Sequence, residues 1–285
     1  MRNLKFGPGL GGGIRAAAWL ALALLTGCAS DRAAIAEALA APAQLTHEQI
    51  QAGDFVLTAY TRVSHTDRPL RVYLEGDGLA WISRTQPSSD PTPHNPVALA
   101  LAARDPGSNV AYLARPCQYT PMAANPQCGT AWWTRKRYAP EVVSSLNAAL
   151  DQLRARVPGQ PLELVGYSGG GALAILLAAR RQDITSLRTV AGNLDTEFVN
   201  QLHEVSAMPE SLNPIADAVR VAHIPQQHIS GTDDSVVSPS VAARFASAAG
   251  WRCVTLRRID GLTHGGDWAG QWRTLLAETP VCRSR

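Results

Sequence analysis

The chain has 285 residues, 46% of them hydrophobic and 17% charged, and its 26 Lys and Arg exceed its 23 Asp and Glu to give a formal net charge of +3. The excess sits at the start: without Arg2, Lys5 and Arg15 the remaining 23 basic residues balance the 23 acidic ones. That balance excludes an electrostatic case for nucleic-acid binding, and the length suits one α/β domain able to bury a full core.

Arg2, Lys5 and Arg15 lead into an apolar run from Ala16 to Leu25. At ~1.5 Å per residue this run covers about half of a ~30 Å hydrocarbon core, so it reads as a secretory signal and not as an anchor helix. It ends in Leu25-Thr26-Gly27-Cys28, which resembles the lipobox of bacterial lipoproteins. The resemblance implies cleavage before Cys28, lipid on that cysteine and, with Ala29 next, delivery to the periplasmic side of the outer membrane. Residues 1–27 are thus expected to be a lipoprotein signal peptide. Residues 28–52, alanine-rich and broken by Pro42, read as a tether with a short helix at Ala33–Ala40, and residues 53–285 as the folded domain.

Within that domain, strand patterns at 55–63, 70–74, 109–114, 162–167, 187–192, 227–230 and 253–259 alternate with helical patterns, among them 97–104, 142–157 and 239–249. This alternation predicts a mostly parallel sheet with helices on both faces. The stretch between the strands at 187–192 and 227–230 is too short for a separate cap domain. The centre of the chain is Gly166-Tyr167-Ser168-Gly169-Gly170, between an apolar strand and an Ala/Leu helix. It fits a nucleophile elbow, whose tight turn lifts a serine hydroxyl above the sheet and leaves the next N–H, that of Gly169, at a helix N-terminus. Glu75-Gly76-Asp77-Gly78 closes the second strand, where Asp77 and Gly78 are candidates for the other oxyanion donor; a plain β-turn is the alternative.

After Cys28 four cysteines remain, an even number in an exported chain, and pairing by sequence proximity gives Cys117–Cys128 and Cys253–Cys282. Closing the first of these short loops contributes about 3 kcal/mol on a chain-entropy model. The stapled segment also holds Trp132 and Trp133, which suit packing of the loop onto the body more than substrate contact. No Cys-x-x-Cys or His-x-x-x-His spacing occurs, so no metal site or other cofactor is expected.

Ser168, the Gly231-x-x-Asp234-x-x-Val237 loop and His264 stand in the order Ser, Asp, His, each after a strand. Over residues 53–280 these motifs resemble the α/β-hydrolase superfamily. With the lipobox, the Leu74–Gly78 turn and Arg115-Pro116-Cys117-Gln118, they are similar to a group of little-characterised bacterial lipoprotein hydrolases. Similar hydrolases often carry His-Gly where this chain has Glu75-Gly76. The resemblance implies a Ser168–His264–Asp234 triad, an acyl-enzyme and a small ester or acyl substrate. Asp233 and Asp195 remain alternatives for the acid, and Asp267 reads as a helix-start residue. Peptidase, amidase or acyltransferase chemistry with the same triad is the second reading, and a non-catalytic envelope-binding lipoprotein the third. A site without a cap is expected to be roofed only by loops, chiefly residues 79–96 and 116–136.

Overall fold

The computed structural model describes residues 27–284, with side chains from Asp31 onward. The leader expected over residues 1–27 lies, but for Gly27, outside the described residues. Eight strands form one sheet: β1 (Thr46–Ala52), β2 (Phe55–Val63), β3 (Leu70–Leu74), β4 (Asn109–Leu113), β5 (Leu162–Tyr167), β6 (Ile184–Val190), β7 (Gln226–Gly231) and β8 (Val254–Ile259), in spatial order 1-2-4-3-5-6-7-8. β2 runs antiparallel to β1 and β4, and every other pairing is parallel.

The helices are α1 (Gly27–Ala40), α2 (Val97–Arg104), α3 (Pro140–Arg154), α4 (Gly169–Ala178), α5 (Thr196–Leu202), α6 (Pro239–Ala249) and α7 (Trp268–Ala277). Strand periodicity splits the core in two. Ala111 and Leu113 of β4 join the cluster under α3, α4 and α6, while Val110 and Tyr112 join the one under α1, α2 and α7. Helix α4 is buried along its whole length, which explains why it is apolar on every side. Only α5 and a single 3₁₀ turn at Pro214–Asp217 separate β6 from β7, so there is no cap domain, as the sequence predicts. Both disulfides, Cys117–Cys128 and Cys253–Cys282, are formed as expected.

The tether expected over residues 28–52 is corrected: this stretch is part of the body. β1 pairs with β2 along its full length, yet only Ile50 and Ala52 of it are buried, so this polar edge strand carries little apolar alternation to read. In α1 the small side chains of Ala36 and Ala40 are fully buried in the core beside α2. The helix is tied at both ends. Arg32 donates to the carbonyls of Asp90 (3.3 Å) and Thr92 (2.9 Å) and meets His94 Nε2 at 3.3 Å. Beyond its far end, Arg62 donates to the carbonyl of Ala43 and to those of Asp105 and Gly107.

Glu75 explains how the loop after β3 is fixed. Pro96 precedes α2 and supplies no side-chain cap. Instead Glu75 Oε1 accepts the N–H of Ala98, the second residue of α2, at 3.3 Å, and that of Gly76 at 2.9 Å. A carboxyl group is favoured at a helix N-terminus, but this one is only 1% exposed and its Oε2 has no hydrogen-bond partner among the described residues. Burial pushes Glu75 up from 4.5 to about 7, against the N–H bonds that pull it down. Protonation therefore stabilises the fold fully below pH 4.5, and that contribution is lost as pH rises through 7. Between pH 4.5 and 8, urea unfolding should show wild type losing about 3 kcal/mol more stability than Glu75→Gln. Parallel pH profiles for the two would mean that the carboxyl ionises freely.

Candidate active site

β5 ends at Tyr167 and α4 begins at Gly169, leaving Ser168 at φ 51°, ψ −119°. A non-glycine residue held at such angles costs about 1–3 kcal/mol and needs support from its surroundings. That support is backbone hydrogen bonding: Ser168 N–H donates to Val190 (2.9 Å), and its carbonyl accepts from Gly171 (2.9 Å) and Asn193 (3.0 Å). A Cβ at Gly166 would overlap the carbonyl of Gly170, and one at Gly170 the carbonyl of Leu74. The two glycines are required because strand, turn and helix backbones meet there.

Above the elbow, His264 Nε2 stands 3.0 Å from Ser168 Oγ, and His264 Nδ1 stands 2.9 Å from Asp234 Oδ2. Asp234 is buried at the end of β7, where its Oδ1 accepts the N–H groups of Val236 (2.9 Å) and Val237 (2.7 Å), leaving Oδ2 for the imidazole. His264 follows β8. Its carbonyl accepts from Tyr167 Oη (3.0 Å) and Trp268 Nε1 (2.8 Å), and its ring packs 5.4 Å from that of Tyr167. The other acids stand elsewhere. Asp233 is exposed, Asp195 caps α5 and pairs with Arg244 at 2.9 Å, and Asp267 caps α7. Among the other histidines, His203 meets the Val236 carbonyl at 2.8 Å, and burial pushes His228 down to about 3, which keeps it neutral among Thr189, Gln226 and Phe245.

Asp77 and Gly78 lie in the loop after β3, facing the elbow, and Gly169 is the first residue of α4. The N–H groups of these three residues have no acceptor among the described residues. What sequence reasoning missed is the clamp on the Asp77 side chain. Arg115 pairs with Oδ1, Arg137 Nη1 reaches Oδ2 at 2.8 Å, and Tyr138 Oη reaches Oδ1 at 3.1 Å. Arg115 also donates to the carbonyl of Arg137, which fastens the two arginines together. Burial alone would raise the pKa of Asp77, but Arg137 and Arg115 outweigh it and hold the carboxyl down at about 2. Four residues separated by up to 61 positions give no local pattern. Only the expectation that a half-buried aspartate needs cations could have pointed to them.

Ser168 and His264 open into a cleft of about 440 Å³ lined by residues 75–81 and 93–95 with Arg137, Tyr167 and Val236. The loop 79–96 does wall the site, but the 116–136 segment does not, which corrects that part of the expected roof. The disulfide-stapled segment is held against β2 instead: Asn125 bonds both the N–H and the carbonyl of Val56, and Trp132 packs edge-on to Phe55 at 5.2 Å. Trp133 is buried and donates to the Ser88 carbonyl at 3.1 Å. Among the described residues no cluster of His, Cys, Asp and Glu is arranged to hold a metal ion.

No family model and no curated protein sequence matches the chain. Solved structures do. An esterase of Pyrococcus furiosus superposes with a TM-score of 0.58 at 12% identity, over 82% of this chain and 90% of its own. An α/β serine hydrolase without a lid from Xanthomonas campestris gives 0.52 at 16% identity, over 82% and 96%. A puromycin-hydrolysing peptidase of Mycobacterium tuberculosis gives 0.59 at 16% identity, over 82% of this chain and 38% of that longer one. The chain has the α/β-hydrolase fold.

The clamp makes a thermodynamic prediction. Asp77 is charged in the folded chain down to about pH 2 against 3.8 when free, so its contribution is present above pH 3.8 and lost as pH falls through 2. Asp77→Asn should therefore cost about 2 kcal/mol or more at pH 7, because two arginines lose their counter-charge. The deficit should shrink between pH 4 and 2 in urea titrations. A deficit that stays constant down to pH 2 would show that the arginines do not hold the carboxylate.

Proposed function

We propose that the chain is an exported, lipid-anchored serine hydrolase that cleaves ester bonds through an acyl-enzyme. The observation that carries this reading is the unbroken hydrogen-bonded series Ser168 Oγ–His264–Asp234 at the floor of an open cleft. A serine hydroxyl is a weak nucleophile at neutral pH, so His264 Nε2 takes its proton as Oγ attacks the substrate carbonyl. Asp234, held by two N–H groups, fixes the imidazole tautomer through Nδ1 and stabilises the cation that forms. The N–H groups of Gly169 and of the 77–78 loop receive the developing oxyanion, with Asp77 positioned by its arginine clamp. The tetrahedral species collapses as Nε2 returns the proton to the departing alcohol. Water then repeats the sequence on the acyl-enzyme.

Export and anchoring at Cys28 are supported by the basic and apolar leader, the Leu25–Cys28 motif and the two disulfides, which suit an oxidising compartment. That compartment is the bacterial envelope, with the outer membrane as the site of attachment.

Fluorophosphonate labelling tests the first reading directly. Wild type should be labelled at Ser168, and Ser168→Ala and His264→Ala should lose nearly all labelling and turnover while unfolding like wild type. Asp234→Asn should reduce kcat by about 10⁴-fold and Asp233→Asn hardly at all. Absence of labelling in a folded chain would leave a binding protein. Turnover of amides or peptides with inert esters would replace esterase by peptidase. Because no cap covers the cleft, esters of short and medium acyl chains should be preferred; kcat/KM climbing from C4 to C16 would reveal a long acyl channel.

A further inference from the structure

The end of the molecule from which α1 emerges is the catalytic end. β3, β5, β7 and β8 all point their C-termini toward Ser168, and α2 starts at that end because its second residue, Ala98, is bound by Glu75 just after β3. Arg32, near the start of α1, is bound to the same end through Asp90, Thr92 and His94, and His94 itself lines the cleft. After α1, the Ala43 carbonyl shares Arg62 with Asp105 and Gly107, which lie between α2 and β4 at the opposite end of the sheet. Helix α1, 14 residues and about 20 Å long, therefore runs down the body away from the catalytic end. Cys28 stands one turn before Arg32, at the catalytic end of α1.

The mouth of the cleft has an apolar rim. Trp81, Ile82, Leu202 and Val236 are each 42–60% exposed. Trp81 and Val236 line the cleft, and their segments are bridged: Arg84 donates to the His203 carbonyl, and His203 meets the Val236 carbonyl. Half-exposed Trp and aliphatic side chains grouped around a cleft suit the boundary between lipid headgroups and acyl chains.

We propose that this rim docks on a phospholipid bilayer and that the cleft takes its ester substrates from the membrane plane. The inference rests on the reading of Cys28 as the lipid-bearing residue, which sets the orientation. The occupant is a bilayer because a lipid on Cys28 would bring a membrane to the end of the molecule that carries the rim.

The test uses the full-length exported chain in vesicles of phosphatidylcholine with some phosphatidylglycerol. Mass spectrometry of the purified chain establishes whether Cys28 is acylated. Brominated phosphatidylcholine should then quench wild-type tryptophan fluorescence more than that of Trp81→Phe. Ile82→Ser/Leu202→Ser should lower kcat/KM for an ester dissolved in the vesicles by at least about tenfold, with kcat/KM for a water-soluble short ester unchanged. An acylated chain with no quenching assignable to Trp81, and with equal variant effects on both esters, would overturn the docking and leave the lipoprotein reading standing. A chain without acyl groups would overturn both. Self-association through the rim without vesicle contact would also overturn it, and a chain inactive on every ester is still judged by the quenching.

Discussion

The structure depends on one strained residue. Ser168 keeps a left-handed conformation because β6 and the start of α4 surround it with hydrogen bonds and because no Cβ stands at 166 or 170. The parallel strands on either side serve this constraint, since they carry the 75–78 loop, the 231–237 loop and the 260–266 loop to the same edge of the sheet. Remove the tight approach of α4 to the backbone of β3, and the serine has no reason to leave ordinary helical angles.

Carboxyl groups drawn out of water are handled in two ways at that edge, only two residues apart. Glu75 lacks a cation, and the fold favours its proton. Asp77 has two arginines and a tyrosine, and the fold favours its charge. Both arrangements fix the same loop, one through a helix N-terminus and one through the loop that ends the insertion. The same backbone thus gains rigidity from opposite protonation states, each set by what lies within reach of the carboxyl group.

Much of this was legible in the sequence because it is local. The glycines around Ser168, the Gly231-x-x-Asp234 spacing and the glycine-flanked His264 are each written within a few residues. The interior strands are short apolar runs with clear ends. β1 was not legible, because an edge strand with Ile50 and Ala52 as its only buried residues carries almost no alternation. The packing of α1 was hidden for a related reason: alanines that allow close approach of two helices look the same as alanines in a spacer. The Asp77 clamp draws on Arg115, Arg137 and Tyr138, which the insertion brings back from far along the chain, and no spacing encodes that. The insertion itself suggested a roof because it is long. Its place is instead decided by Asn125 and Trp132, which turn it toward β2.

The second disulfide has a topological consequence. Cys253 and Cys282 bracket β8, the loop bearing His264 and all of α7, so this segment is a closed covalent ring. A single cut of the backbone anywhere inside the ring opens the loop but releases no fragment. Both new ends stay joined through sulfur, and the imidazole remains attached to the same molecule as Ser168 and Asp234. A protease acting within the ring must cleave it twice, or act with a reductant, before the base can be lost.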